Sequence, residues 1–183
     1  IMPDKPNQLK GHVIWCSGMS GSGKTILTKA VKELLESDGY IIQILDGDKK
    51  RANDKEKLSF DKKDIIQNNL SIAKHCSEER NNYDLTLVSV ISPYENTRAQ
   101  IREILSPNYN LIYMQSSISA LKKRDVKGLY KKADRGEISN LIGYSNNSPY
   151  EIPKSPDLII NTDTSSDLKR NIGNFYKFIL SQF

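Results

Sequence analysis

Short runs of branched apolar residues alternate along the chain with longer stretches whose apolar positions return every three or four residues. The short runs, 12–17, 41–45, 85–91, 111–115 and 158–161, are apolar throughout rather than at every second position, which predicts strands covered on both faces. The longer stretches predict helices. Over 24–36, Ile26, Leu27, Ala30, Val31, Leu34 and Leu35 share one helical face, and Gly39 supplies the stop. A second helix opens at Asp61, has Asp64 near its N-terminus, and carries Ile66, Leu70, Ala73 and Cys76 inward. A third follows Pro93 through Ile101, Ile104 and Leu105, and a last spans 167–183 with Leu168, Ile172, Phe175, Phe178, Ile179 and Leu180. Such alternation predicts an α/β fold, a three-layer sandwich around a mostly parallel five-stranded sheet. Residues 124–144 break the rhythm, being dense in Lys, Arg and Gly. The pattern leaves two readings for them, a solvated surface loop or a cationic lid that closes over phosphates.

Composition narrows this picture. A chain of 183 residues without repeats or linkers is expected to be one domain over 1–183. Hydrophobic residues at 37% and charged residues at 27% suit a folded, water-facing protein rather than a disordered one. No apolar run approaches the ~20 residues a bilayer span needs, and the first ten residues lack the apolar core of a signal peptide. No membrane partner and a cytoplasmic location are therefore expected. Cys16 and Cys76 are too few for a disulfide framework, and His12 and His75 have no partners at ligand-like spacing. The net charge of +5 comes with cations concentrated at 49–63 and 122–135. Neither stretch interleaves aromatics as a base-stacking platform does, so small phosphorylated ligands are expected as partners and nucleic acid is not.

The chemistry begins with Gly18-Met19-Ser20-Gly21-Ser22-Gly23-Lys24-Thr25, a full Walker A spacing between a predicted strand and a predicted helix. Its glycines let successive N–H groups turn toward phosphate oxygens, and the helix N-terminus adds its positive end. Ser20, Gly21, Ser22 and Gly23 form the cradle, Lys24 reaches the β- and γ-phosphates of ATP, and Thr25 is the Mg2+ ligand. At the end of the second strand, Leu45-Asp46-Gly47-Asp48 places two carboxylates at the same edge of the sheet. One can take the proton of an attacking hydroxyl, and either can hold Mg2+ through water. Lys24, Asp46 and Asp48 are the catalytic candidates.

Together these blocks make the chain similar to the adenylylsulfate kinase family of P-loop NTPase-type fold. The resemblance runs from about His12 to Thr162 and includes Ile14-Trp15, Asp46-Gly47-Asp48 with Arg51, Ile91-Ser92-Pro93-Tyr94 with Arg98, and Pro149-Tyr150-Glu151. Its most specific block is Arg124-Asp125-Val126-Lys127-Gly128-Leu129-Tyr130-Lys131-Lys132-Ala133, followed by Gly136-Glu137-Ile138. The resemblance implies a homodimeric, Mg2+-dependent enzyme that moves the γ-phosphoryl group of ATP onto the ribose 3′-hydroxyl of adenylylsulfate. It implies Asp48 as the base and Arg124 on the ATP side. On the acceptor side it implies Arg51, Phe60 stacking on the base, Asn68, Ile91, Lys127 and Leu141. Ser92 matches a serine phosphorylated in some relatives. The resemblance also decides for the lid over 124–144.

Departures from the family pattern gather on the acceptor side. Asn53-Asp54-Lys55 stands for Gly-Leu-Asn, Asp64-Ile65 for Asp-Arg, Asn69-Leu70-Ser71 for Ile-Arg-Arg, and Leu141-Ile142-Gly143 for Phe-Thr-Gly. Losing a charge-assisted hydrogen bond costs ~1.5–3 kcal/mol, and losing one base–aromatic stack ~1–3 kcal/mol. Two acceptors thus stay open, adenylylsulfate and another 5′-modified nucleotide such as cytidine diphosphoramidate. Outside that class stand a non-catalytic nucleotide-binding regulator and an uncoupled ATPase. Asp48→Asn is expected to lower kcat far more than it weakens ATP binding, read from steady-state rates beside ATP titrations. An unchanged rate would move the role of base to Asp46.

Overall fold

The structure, a computed structural model, describes residues 10–47 and 61–182. Five strands, β1 (His12–Ser17), β2 (Ile42–Asp46), β3 (Leu85–Val90), β4 (Tyr109–Gln115) and β5 (Leu158–Asn161), form one sheet in the order β2-β3-β1-β4-β5. Every pairing is parallel. The continuous apolarity of the strands has the expected cause, since both faces are covered. On one face Ile14, Cys16, Leu87, Ile112 and Met114 meet Leu27, Val31 and Leu35 of α1 (Lys24–Ser37) and Phe175 and Ile179 of α6 (Leu168–Ser181). On the other, Val13, Trp15, Val88 and Leu111 meet Ile72, Ala73 and Cys76 of α2 (Lys62–Glu79) and Ile101 and Leu105 of α3 (Glu95–Leu105). Of two short helices, α4 (Ile118–Arg124) leads up to the stretch whose pattern had broken down and α5 (Leu129–Asp134) lies inside it.

Helix faces are where sequence and structure differ. In α1 the stripe against the sheet is Lys24, Leu27, Thr28, Val31 and Leu35, while Ile26 and Leu34 are 55% and 41% exposed. The sheet and α6 press on α1, and the stripe they cover is narrower than the run of apolar residues. Along α2 the buried residues are Ile65, Asn68, Asn69, Ile72, Ala73 and Cys76; Ile66 and Leu70 are half-buried. The first turns of α2 face Ile91, Tyr94 and Ile142, and this second contact turns a different face inward from the one periodicity suggested. Ile104 of α3 is likewise exposed.

All five strands point their carboxyl ends the same way. The chain segments that leave β1, β2, β3 and β5 therefore meet at one edge, where ligands of such sheets bind. Arg80 ties the opposite edge, donating to the carbonyl oxygens of Gly11 (2.7 Å), Leu105 (2.7 Å) and Asn108 (2.8 Å). Leu35→Ala is expected to cost about 2–5 kcal/mol of stability, and its neighbour Leu34→Ala about 0.5 kcal/mol or less. Urea unfolding midpoints at constant slope test this pair.

Candidate active site

The loop between β1 and α1 is built on a close approach. A β-carbon on Gly18 would lie 2.5 Å from Ser22 Oγ and 2.9 Å from the Met114 carbonyl oxygen, so no side chain fits. Gly21 and Gly23 take φ of +80° and +94°, conformations that an L side chain resists. Left-handed residues in such a loop aim successive N–H groups into one concavity, an anion nest. Lys24 opens α1 at 8% exposure, and its ammonium donates to the carbonyl oxygens of Gly18 (2.8 Å) and Met19 (2.8 Å) and lies 3.4 Å from Ser22 Oγ. Those carbonyls compensate the burial of the cation and hold it at the loop, where phosphate oxygens are stronger partners.

Thr25 Oγ1 donates to Asp46 Oδ2 at 3.3 Å, joining the start of α1 to the end of β2. A hydroxyl and a carboxylate at this spot fit Mg2+, which keeps most of its coordination for phosphate oxygens and water. Among the described residues no cluster of three or more His, Cys, Asp or Glu exists to hold a metal by itself. The loop's cradle and the Thr25–Asp46 pair thus fit ATP and Mg2+.

Across the cleft from the loop stands the segment expected to be a lid. It is a folded unit in which Leu121 of α4, Tyr130 of α5 and Leu141 pack together with Met19 from the phosphate loop. Ser117 caps α4, its Oγ accepting from the Ala120 N–H at 3.2 Å. Between loop and lid runs a cleft of about 270 Å³ lined by Ser20, Gly21, Lys24, Thr25, Arg124 and Lys127. Arg124 is fixed there by bonds from Nη1 to the Thr162 carbonyl oxygen (2.6 Å) and from Nη2 to Ser116 Oγ (3.0 Å). Lys127, expected at the acceptor, is exposed on this loop-side cleft.

The wall expected on the acceptor side leaves the end of β3. Gly18 N–H donates to the Ile91 carbonyl oxygen at 3.3 Å. The Ser17 hydroxyl donates to the same oxygen (2.7 Å) and to that of Ser92 (3.0 Å), so the Tyr150 hydroxyl, 2.6 Å away, donates to Ser17. Burial pushes the Tyr150 phenol up and keeps it a donor. Arg98, 3% exposed, binds the Ser92 carbonyl oxygen (2.7 Å), the Glu95 carboxylate (2.5 Å) and the Glu151 carbonyl oxygen (2.5 Å). These bonds hold Ser92 at φ +47° with its side chain fully buried.

A small pocket beside this wall is lined by Gly47, Ile65, Asn68, Asn69, Ser92 and Ile142, together with Ile91. Asn68 Oδ1, Asn69 Nδ2 and Ser92 Oγ are buried there without a hydrogen-bond partner among the described residues. Each such orphan costs about 1–3 kcal/mol, so three around one pocket of about 10 Å³ mark a place for an ordered water. Leu141 does not reach this pocket; its side chain, 1% exposed, belongs to the lid core, and Ile142 is the residue that lines the wall. Asp48, Arg51 and Phe60 lie outside the described residues. Sequence reasoning missed the roles of Ser17, Arg98, Tyr130 and Tyr150. Their signal was only their position at strand ends and within the resembling blocks, because contacts between distant residues leave no periodicity.

Comparison with known proteins agrees with this geometry. The family model for adenylylsulphate kinase matches residues 10–161. An adenylyl-sulfate kinase of Halothermothrix orenii is 41% identical over 157 residues, covering 84% of this chain and 82% of that one. A probable adenylyl-sulfate kinase of Aeropyrum pernix is 33% identical over 173 residues, 93% of each. Among solved structures, the APS kinase of Mycobacterium tuberculosis in complex with AMPPNP and APS superposes with a TM-score of 0.82 at 29% identity, over 94% of this chain and 96% of that one. A shikimate kinase from Bacteroides thetaiotaomicron, TM-score 0.56 at 11% identity over 92% and 98% of the two chains, shares the fold alone. Gly18→Ala is expected to abolish binding of a nucleoside triphosphate, measured by calorimetry, with helical content by circular dichroism unchanged.

Proposed function

Because the chain belongs to the adenylylsulphate kinase family, we propose that it transfers the γ-phosphoryl group of ATP to the ribose 3′-hydroxyl of adenylylsulfate, giving 3′-phosphoadenylylsulfate and ADP. One observation carries the reading most directly. The phosphate loop and the acceptor-side wall are bonded to each other, through Gly18 N–H on the Ile91 carbonyl and Ser17 Oγ on Ile91 and Ser92. A donor phosphate in the loop and an acceptor against that wall would meet in one fixed geometry. Phosphoryl transfer asks a protein mainly for such positioning and for charge neutralisation.

In this reading Gly18, Ser20, Gly21, Ser22, Gly23 and Arg124 line the ATP side. Lys24 turns its ammonium from the loop carbonyls to the β- and γ-phosphates. Thr25 and Asp46 would hold Mg2+, which supplies charge neutralisation across those phosphates. Asp48 takes the proton of the 3′-hydroxyl, while Arg51, Phe60, Asn68, Ile91 and Ser92 hold the acceptor; Lys127 serves the space between the two. The mycobacterial relative, solved with an ATP analogue and APS together, supports such a paired site. The family resemblance supports a cytoplasmic homodimer working in sulfate assimilation.

Adenylylsulfate is preferred to cytidine diphosphoramidate because the relatives at 33% and 41% identity are named for adenylyl sulfate. The buried, satisfied geometry of Lys24 and Ser17 supports an enzyme over a non-catalytic regulator. The decisive experiment compares kcat/KM for the two acceptors with purified protein, ATP and Mg2+. A preference of at least about a hundredfold for adenylylsulfate is expected, equivalent to about 2.7 kcal/mol; equal values or a reversed preference would overturn the acceptor. Lys24→Ala is expected to lower the rate with adenylylsulfate by about a thousandfold or more in the same assay, since the transferring group loses its main cation.

A further inference from the structure

Tyr130 sits in α5, 110 residues from the phosphate loop, yet its hydroxyl donates to the Ser20 carbonyl oxygen at 2.7 Å. Both partners are buried, Tyr130 at 2% and Ser20 at 9% exposure. A trans peptide points its C=O and N–H in opposite directions. Holding the Ser20 carbonyl toward the lid therefore turns the Gly21 N–H away from it, the orientation an anion nest requires. Without that donor, a peptide preceding a left-handed glycine (Gly21, φ +80°) is free to flip.

The position of Tyr130 is itself fixed from several sides. The Asp125 carboxylate accepts the backbone N–H groups of Tyr130 (3.0 Å) and Lys131 (3.1 Å), anchoring a helix too short to persist alone. The ring meets Tyr144 edge-on at 5.4 Å and packs with Leu121 and Leu141. Met19 of the loop joins the same cluster. Burial pushes the phenol up, so it remains protonated and a donor across the working range of pH.

We propose that Tyr130 is a positioning residue for the phosphate donor: its hydroxyl locks the Ser20–Gly21 peptide so that the loop is set to receive ATP. This rests on the reading of the loop as the ATP site. The hydroxyl acts on the loop alone, so its loss weakens ATP binding and spares the acceptor, whose wall is held by Ser17 and Arg98.

Tyr130→Phe keeps the ring that packs against Leu121 and Leu141 and deletes only the donor. It is expected to raise both KM for ATP and the Kd of a non-hydrolysable ATP analogue about tenfold, with KM for adenylylsulfate within about twofold of wild type. Tyr144→Phe, which removes a lid hydrogen bond to Asp134 without touching the loop, is expected to leave all three values within about twofold. An unchanged KM for ATP in Tyr130→Phe, equal rises for both substrates, or an equal effect of Tyr144→Phe would overturn the proposal. Failure of the wild-type protein to bind the ATP analogue would instead overturn the reading of the loop as the ATP site.

Discussion

The reactive edge of this protein depends on how closely the chain passes its neighbours at Gly18. β1 is the central strand, with β3 on one side and β4 on the other, so its exit emerges between two other strand ends. From β4 the Met114 carbonyl oxygen comes within 2.9 Å of where a β-carbon would stand; from the β3 side the Ile91 carbonyl accepts the Gly18 N–H. The residue must be glycine for lack of space, and that lack of space joins the loop to the wall opposite it. Any displacement of the β3 exit moves donor and acceptor sites together. Arg98 and Ser17 resist that displacement, by pinning Ser92 from two directions.

The other side of the loop depends on the lid. Met19 fills a place in the lid's apolar core, and Gly143, at φ +79°, passes so near that a β-carbon there would lie 2.6 Å from Met19 Sδ. A packed floor under the loop lets its carbonyls be satisfied by protein partners before a ligand arrives, Lys24 for Gly18 and Met19, Tyr130 for Ser20. With the Ser20 carbonyl so occupied, the Gly21 N–H remains for the ligand. Preorganisation of this kind is worth most where solvent is excluded, because dipoles fixed in advance need no reorganisation when charge arrives.

Much of the fold was legible in the sequence because its signals are local. A parallel strand covered on both faces reads as a solid apolar run, and β1 and β5 fall where 12–17 and 158–161 predicted them. The phosphate loop was equally legible, since glycine, lysine and threonine act there within eight consecutive residues. Helix faces were harder, because the neighbours decide which apolar residues are covered: Leu34 and Leu35 are chemically the same, and only Leu35 is buried. The short helices α4 and α5 escaped notice because few apolar positions define them; capping by Ser117 and Asp125 and docking against Met19 do so instead. The hydrogen bonds of Ser17 to Ile91 and of Tyr130 to Ser20 span 74 and 110 residues, and no window along the sequence contains both partners.

The same logic recasts the acceptor-side departures. Read singly, Ile65 in place of arginine and Ile142 in place of threonine look like two separate losses. In the fold Ile65 at 4% and Ile142 at 1% exposure belong to one buried cluster with Ile91 and Tyr94, so they form a single apolar contact between α2 and the chain around residue 142. Burying an isoleucine side chain contributes about 1.5–3 kcal/mol, the same size as the charge-assisted hydrogen bond that an arginine would have made. That contribution goes to holding α2 against the chain around residue 142, not to gripping an anion. A guanidinium at position 65 would be buried against Ile91, Tyr94 and Ile142, where desolvation opposes it. The sequence concentrates cations between Lys49 and Lys63, and α2 opens within that run. Lys62, whose ammonium lies 5.1 Å over the ring of Tyr94, already stands at the rim of that apolar cluster. Closure of this contact falls to Ile65 and Ile142 together.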